Sequence, residues 1–199
     1  MEIYRDAPPI YLIFAEPVVG NTLDSIIKTK IQDIWNGHLF AHHLKHVEIV
    51  VFINDVQLTY RGIGDAYDKD GNIVGFGGVE ELSWRTYKRD EYKSWVQLDV
   101  STSGFNACVN FCKEVANNPK TRYDDNFALR QIFPSCVPKD KHSYSCADFV
   151  CSALQVAGVI PESWDSSVTT TQQIYNATSE FGTPYFTELP FLKKKLNYE

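Results

Sequence analysis

The stretch SYSCADFVCSALQVAG, residues 143–158, constrains the chain more than any other. Ser143 and Ser145 are good helix N-caps, and Gly158 followed by Pro161 is a good stop. Phe149, Val150, Ala153, Leu154 and Ala157 recur at helical spacing, and Cys146 lies one turn before Val150 on the same apolar stripe. The spacing therefore predicts a packed helix with Cys146 at its N-terminus, facing the body of the protein. The partial positive charge there favours thiolate over thiol. A nearby imidazolium lowers a cysteine pKa from about 8.5 into a range of roughly 3.5 to 7.5. Alone, such a cysteine is more often a small buried hydrophobe. A histidine brought to it makes a nucleophile.

Four of the five histidines lie together in HLFAHHLKH, residues 38–46, which runs directly into the β-rich VEIVVFI at 47–53. His46 reads as the first residue of a strand, with His38, His42 and His43 as loop or surface residues. Metal binding by these four ranks last, because no cysteine or carboxylate completes a known ligand signature. Residues 47–53, Asn54-Asp55 and VQLTY at 56–60 form a hairpin signal. With a two-residue turn, His46, Glu48, Val50 and Phe52 share a face with Gln57, Thr59 and Arg61, and that face is expected to meet the Cys146 helix. Glu48 and Thr59, with Gln57 beside it, are the candidates to orient the imidazole. His142, four residues before Cys146, is the rival general base.

The remaining pattern is that of a mixed domain. IYLIF at 10–14 reads as a strand, residues 22–36 as an amphipathic helix, residues 92–100 as a strand, and residues 105–116 as a helix carrying Cys108 and Cys112 into the core. Cys136 lies in a Pro-flanked loop and is expected to be structural. Thr170 or Thr171 caps a short helix through Ala177. The segment 62–90 reads as a Gly/Asp-rich insertion. Its Asp68, Asp70 and Asn72 have neither the glycine position nor the closing glutamate of a calcium loop, and its glycines form no phosphate-binding motif. The lysine-bearing tail at 190–199 is expected to be solvated.

The 199 residues suit one domain spanning 1–199. Five cysteines, an odd number without CxxC spacing, point to reduced thiols and a cytoplasmic setting. The N-terminus lacks a basic leader, and the run at 10–15 is too short to span a membrane. A net charge of −6 argues against a nucleic-acid surface, leaving a peptide, acyl or lipid substrate as the expectation. No cofactor and no metal are expected.

The order, a strand-borne His46 followed about a hundred residues later by a helix-borne Cys146, resembles the circularly permuted branch of the NlpC-type papain-like fold. That branch includes lecithin-retinol acyltransferase-like proteins and relatives from bacteria and large DNA viruses. HVEIVVFIND at 46–55 looks like the family's histidine strand, and residues 144–158 look like its nucleophile helix. The resemblance implies an α+β fold with an antiparallel sheet packed against that helix. It also implies a cysteine hydrolase or acyltransferase using Cys146 and His46, with virion association if the source is viral. The family usually carries a polar third residue on the following strand. Thr59 falls near that place and brings no charge, whereas Glu48 would supply one from the histidine strand itself. Thr59 and the insertion also keep open a second reading, a catalytically lapsed fold serving as a binding or structural protein.

Overall fold

The computed structural model describes residues 7–15, 46–67, 72–85, 87 and 94–185. The predicted helix at 22–36, the histidines at 38, 42 and 43, Asp68, Asp70 and the tail at 190–199 lie outside the described residues.

The hairpin forms where its sequence demands. Strands β2 (His46–Ile53) and β3 (Val56–Ile63) pair antiparallel with Glu48 opposite Arg61, Val50 opposite Thr59 and Ile53 opposite Val56. Asn54 and Asp55 both take positive φ, 50° and 64°. That is the primed turn whose twist matches the strands, and asparagine and aspartate are the non-glycine residues that tolerate it best. Around this hairpin β1 (Ile10–Ala15), β6 (Gly78–Ser83), β7 (Ser94–Leu98) and β10 (Thr183–Tyr185) complete a six-stranded sheet in the order β10-β7-β1-β2-β3-β6, antiparallel throughout. The segment read as an insertion is thus partly sheet. Residues 78–83 form its edge strand, and β4 (Ala66–Tyr67) pairs with β5 (Ile73–Gly75) in a separate two-stranded sheet.

Four helices are described: α1 (Thr102–Asn117), α2 (Phe127–Ile132), α3 (Cys146–Val156) and α4 (Thr171–Phe181). The fold is α+β. Ile10, Leu12, Phe14, Val47, Ile49, Val51, Leu58 and Tyr60 point from the sheet into a core with Phe105, Cys108 and Cys112 of α1, Phe149, Val150 and Leu154 of α3, and Ile174 of α4. On the opposite face Ile13, Val50, Trp95 and Tyr87 make a second, smaller cluster with Tyr11 and Phe52. Both faces are covered, which is why β1 and β2 read as continuous apolar runs rather than alternating ones. The pleat corrects one expectation. The helices pack on the Val47 face, whereas Glu48 and Thr59 belong to the other.

Local signals fix α3. Ser145 is its N-cap, with Oγ accepting from the Asp148 amide at 3.1 Å. Gly158 ends it at φ 74°, where a side chain would be strained. Ser143 instead belongs to a short parallel pair, β8 (Arg122–Tyr123) with β9 (Ser143–Tyr144). α1 begins earlier than expected because Ser101 caps it, and Thr170 caps α4 in a full capping box with Gln173. No described helix is long and apolar enough to cross a membrane.

Candidate active site

His46 opens β2, and two residues later Glu48 projects to the same side of the pleat, so its Oε1 lies 3.0 Å from His46 Nε2. Cys146 arrives from the opposite direction, at the first position of α3. The adjoining ends of β2 and β3 explain how a helix on one sheet face delivers a sulfur to a histidine at the strand terminus. Continuing the register from Glu48–Arg61 puts Gly62 beside Val47, and the start of α3 presses onto Gly62. A Cβ there would stand 3.0 Å from both the Cα and the N of Cys146. Only glycine lets the helix sink this far.

The imidazole of His46 hydrogen-bonds the Cys146 sulfur, which also receives the backbone N–H groups of Val47 and Ala147. Burial alone would push the thiol up. The His46 hydrogen bond and charge, aided by the two amides, outweigh it and hold Cys146 below the ordinary cysteine value. Burial likewise opposes the charged form of His46, but the partnership with Cys146 and Glu48 wins and pushes it up to about 10. Each shift favours the charged form of its group, the direction in which an imidazolium stabilises a neighbouring thiolate. Cys146 is 6% exposed, whereas the His46 side chain retains 24%, so access to the pair is from the imidazole side.

Glu48 is the most heavily partnered group of the site. It is 3% exposed. Its Oε2 accepts from the Tyr87 hydroxyl at 2.7 Å and pairs with Arg85 Nε at 3.2 Å, while Arg61 Nη1 stands 3.9 Å from Oε1. Burial would raise the carboxyl, but His46, Tyr87 and Arg85 hold it below its usual range. Arg61 is itself tied to Glu80. Thr59 is placed differently from expectation. It sits opposite Val50, four residues and therefore about 13 Å along β2 from His46. Its hydroxyl lies 3.5 Å from that of Tyr87 and 3.4 Å from Gln57 Nε2, behind Glu48 rather than against the imidazole. Of the two orienters expected, Glu48 touches the histidine. The backbone of His142 joins the neighbouring loop, its N–H donating to Asp140 and its carbonyl accepting from Arg122.

The approach to Cys146 is braced by buried charges. Asp148, fully buried in the first turn of α3, pairs with Lys139 at 2.7 Å. Tyr123 lies near enough for the charge of Cys146, after burial, to push its hydroxyl up. Among the described residues no three His, Cys, Asp or Glu converge as metal ligands. Gly62, Arg85 and Tyr87 were not legible as site residues. A glycine inside a strand does signal close approach of another backbone, but nothing local in sequence ties Tyr87 to a carboxylate 39 residues earlier.

Gly62→Ala tests the close approach. The clashing atoms are helix backbone, which cannot rotate aside, so α3 must shift by a few tenths of an ångström. The expected result is a stability loss of about 1–3 kcal/mol, with slower alkylation of Cys146 near pH 6. Unchanged thermal unfolding and unchanged labelling would show that the helix start has room to spare. Comparison of the chain with protein-family models, with curated proteins and with solved structures gave no match.

Proposed function

We propose that this protein is a cysteine-dependent hydrolase or acyltransferase that acts on an amide, thioester or ester of a peptide, acyl or lipid substrate, in the manner of the permuted NlpC-type papain-like enzymes. The observation that carries the proposal is the triad: Cys146 hydrogen-bonded to His46, and His46 Nε2 held at 3.0 Å by Glu48. With Nε2 committed to Glu48, Nδ1 is the nitrogen that exchanges the proton.

The Cys146 thiolate attacks the carbonyl carbon and forms a carbon–sulfur bond, and the carbonyl electron pair moves onto oxygen. The backbone N–H of Cys146, the first of α3, lies at this point, where the helix dipole favours an anion. Collapse of the intermediate expels the amine, alcohol or thiol, which takes its proton from His46. The acyl group then rests on Cys146 as a thioester. Water or an acceptor, deprotonated by neutral His46, attacks it and returns the sulfur as thiolate. Glu48 remains ionised throughout and stabilises the imidazolium at each stage. Chemistry of this kind needs the sulfur reduced, and all five cysteines are free thiols, which supports a reducing compartment.

Site-resolved alkylation with iodoacetamide tests the reading directly. Cys146 is expected to react first as the pH is raised, because its partners hold the thiol below the ordinary cysteine value. Cys136, which is exposed, is expected to label next. Cys112 and Cys151 are buried and pushed up, Cys151 to about 11, so they label last. Equal rates at all five positions, or a Cys146 that responds only above its ordinary pKa, would remove the ion pair on which the chemistry depends.

A further inference from the structure

The segment that follows β6 crosses the sheet face opposite the helices, and three independent ties fix it there. Trp84 turns the chain at φ 55°, a conformation unusual for a bulky residue, and its N–H donates to the Gln57 carbonyl at 3.1 Å. The buried side chain of Gln57 answers by donating Nε2 to the Arg85 carbonyl at 2.8 Å. Tyr87 then buries its ring with Ile13, Val50 and Trp95, and the Arg85 guanidinium lies 4.9 Å over that ring. The outcome of all this packing is polar: the Tyr87 hydroxyl and Arg85 Nε both reach one oxygen, Oε2 of Glu48.

Glu48 has a division of labour between its oxygens. Oε1 serves His46 at 3.0 Å, and Oε2 serves Tyr87 and Arg85. The terminal carboxylate torsion of glutamate is broad and nearly two-fold, so the side chain alone does not choose this orientation. A competitor is present as well. Arg61 Nη1 lies 3.9 Å from Oε1 and is anchored from its far side by Glu80.

We propose that Tyr87 and Arg85 are positioning residues for the cysteine site, holding Glu48 by one oxygen so that the other is presented to His46. The inference rests on the cysteine chemistry proposed above and extends it to a segment that the sequence presents as an insertion. Tyr87 acts through Glu48 and His46, without contact with the reacting atoms. Among the described residues, the charged and titratable groups that face Glu48 are His46, Arg61, Arg85 and Tyr87, with Glu80 behind Arg61. Burial, followed by the neighbouring Glu48, raises the Tyr87 hydroxyl well above its usual range, so it remains a donor wherever Glu48 is ionised.

Tyr87→Phe removes the hydroxyl and keeps the ring. In the full chain, Cys146 alkylation is expected to be about tenfold slower on the acid side, the worth of one hydrogen bond to a charged group. It is expected to match the wild type at the alkaline end, where the thiol ionises unaided. A general loosening of the fold would instead move every cysteine at every pH. In a Glu48→Gln background the same substitution is expected to add nothing, since its effect passes through the carboxylate. Superimposed profiles for Tyr87→Phe and wild type would overturn the proposal, and so would an undiminished further effect in the Glu48→Gln background. If Tyr87→Phe does not fold, Arg85→Gln, which strips a partner from the same oxygen through a side chain 22% exposed, is read by the same criteria. A wild-type profile without acid-side reactivity overturns the cysteine chemistry and this proposal with it. A His46-dependent profile that neither variant moves overturns this proposal alone.

Discussion

His46→Ala is expected to slow iodoacetamide labelling of Cys146 at pH 6 by at least about tenfold, and to move the onset of labelling to higher pH. The sign follows from the opposing causes at the sulfur. Burial by itself raises the thiol, and only the imidazole, with the amides of Val47 and Ala147, brings it below the ordinary value. Without the imidazole, the burial cost remains and the onset of reactivity moves to higher pH. In the wild type the thiolate is favoured below the ordinary cysteine value and the imidazolium up to about 10, so a thiolate–imidazolium pair is expected in the interval between. Glu48→Gln is expected to give an intermediate profile, because the amide still bonds the ring but brings no charge to stabilise imidazolium. Turnover of an activated ester is expected to fall further in His46→Ala than labelling does, since proton return to the leaving group is lost as well. A His46→Ala protein that labels at the wild-type rate at pH 6 would place the activation of Cys146 elsewhere.

The parts of this site that lie within one element were legible before any coordinates. Ser145, Cys146 and Gly158 carry helix-end chemistry in their types and spacing, and Asn54-Asp55 carries the turn that sets the β2–β3 register. His46 and Glu48, two apart on a strand, follow from the pleat. What failed was the assignment of faces. Alternation would have shown which side of β2 is buried, but both sides are, so VEIVVF contains no contrast to read. The helix sits on the Val47 side, and its first residue, Cys146, presses on Gly62 near the start of β2. Thr59 was placed by counting residues on the next strand, yet a strand's rise puts it too far from His46 to bond it. The support that it lacks reaches the site from Arg85 and Tyr87, contacts set by tertiary packing with no periodic trace in the sequence.

The largest loss of stability is expected from a residue remote from the sulfur. Arg130, 3% exposed, is bonded through two guanidinium nitrogens to the buried carboxylate of Asp124, and it also donates to the carbonyls of Val137 and Pro138, at 3.2 Å each. Asp124 in turn donates its amide to the Tyr144 carbonyl, so one side chain ties α2, the Pro-flanked loop and the strand before Cys146 into a single unit. Arg130→Met keeps much of the volume but leaves a carboxylate without its counter-charge and two carbonyls without their donor. Removing one partner of a buried pair costs about 3–5 kcal/mol, which for a chain of this length lowers the thermal midpoint by roughly 10 °C. Adding Asp124→Leu is expected to restore part of that loss. The stranded charge disappears, whereas the carbonyls of Val137 and Pro138 remain unserved. A drop below about 1 kcal/mol for Arg130→Met, or no recovery in the double variant, would mean that water reaches Asp124 and that the loop is held by something else. Below its lowered midpoint, Arg130→Met is expected to keep the acid-side reactivity of Cys146, because the Cys146–His46–Glu48 chain gains its order from β2, Gly62 and the Tyr87 segment rather than from this ion pair.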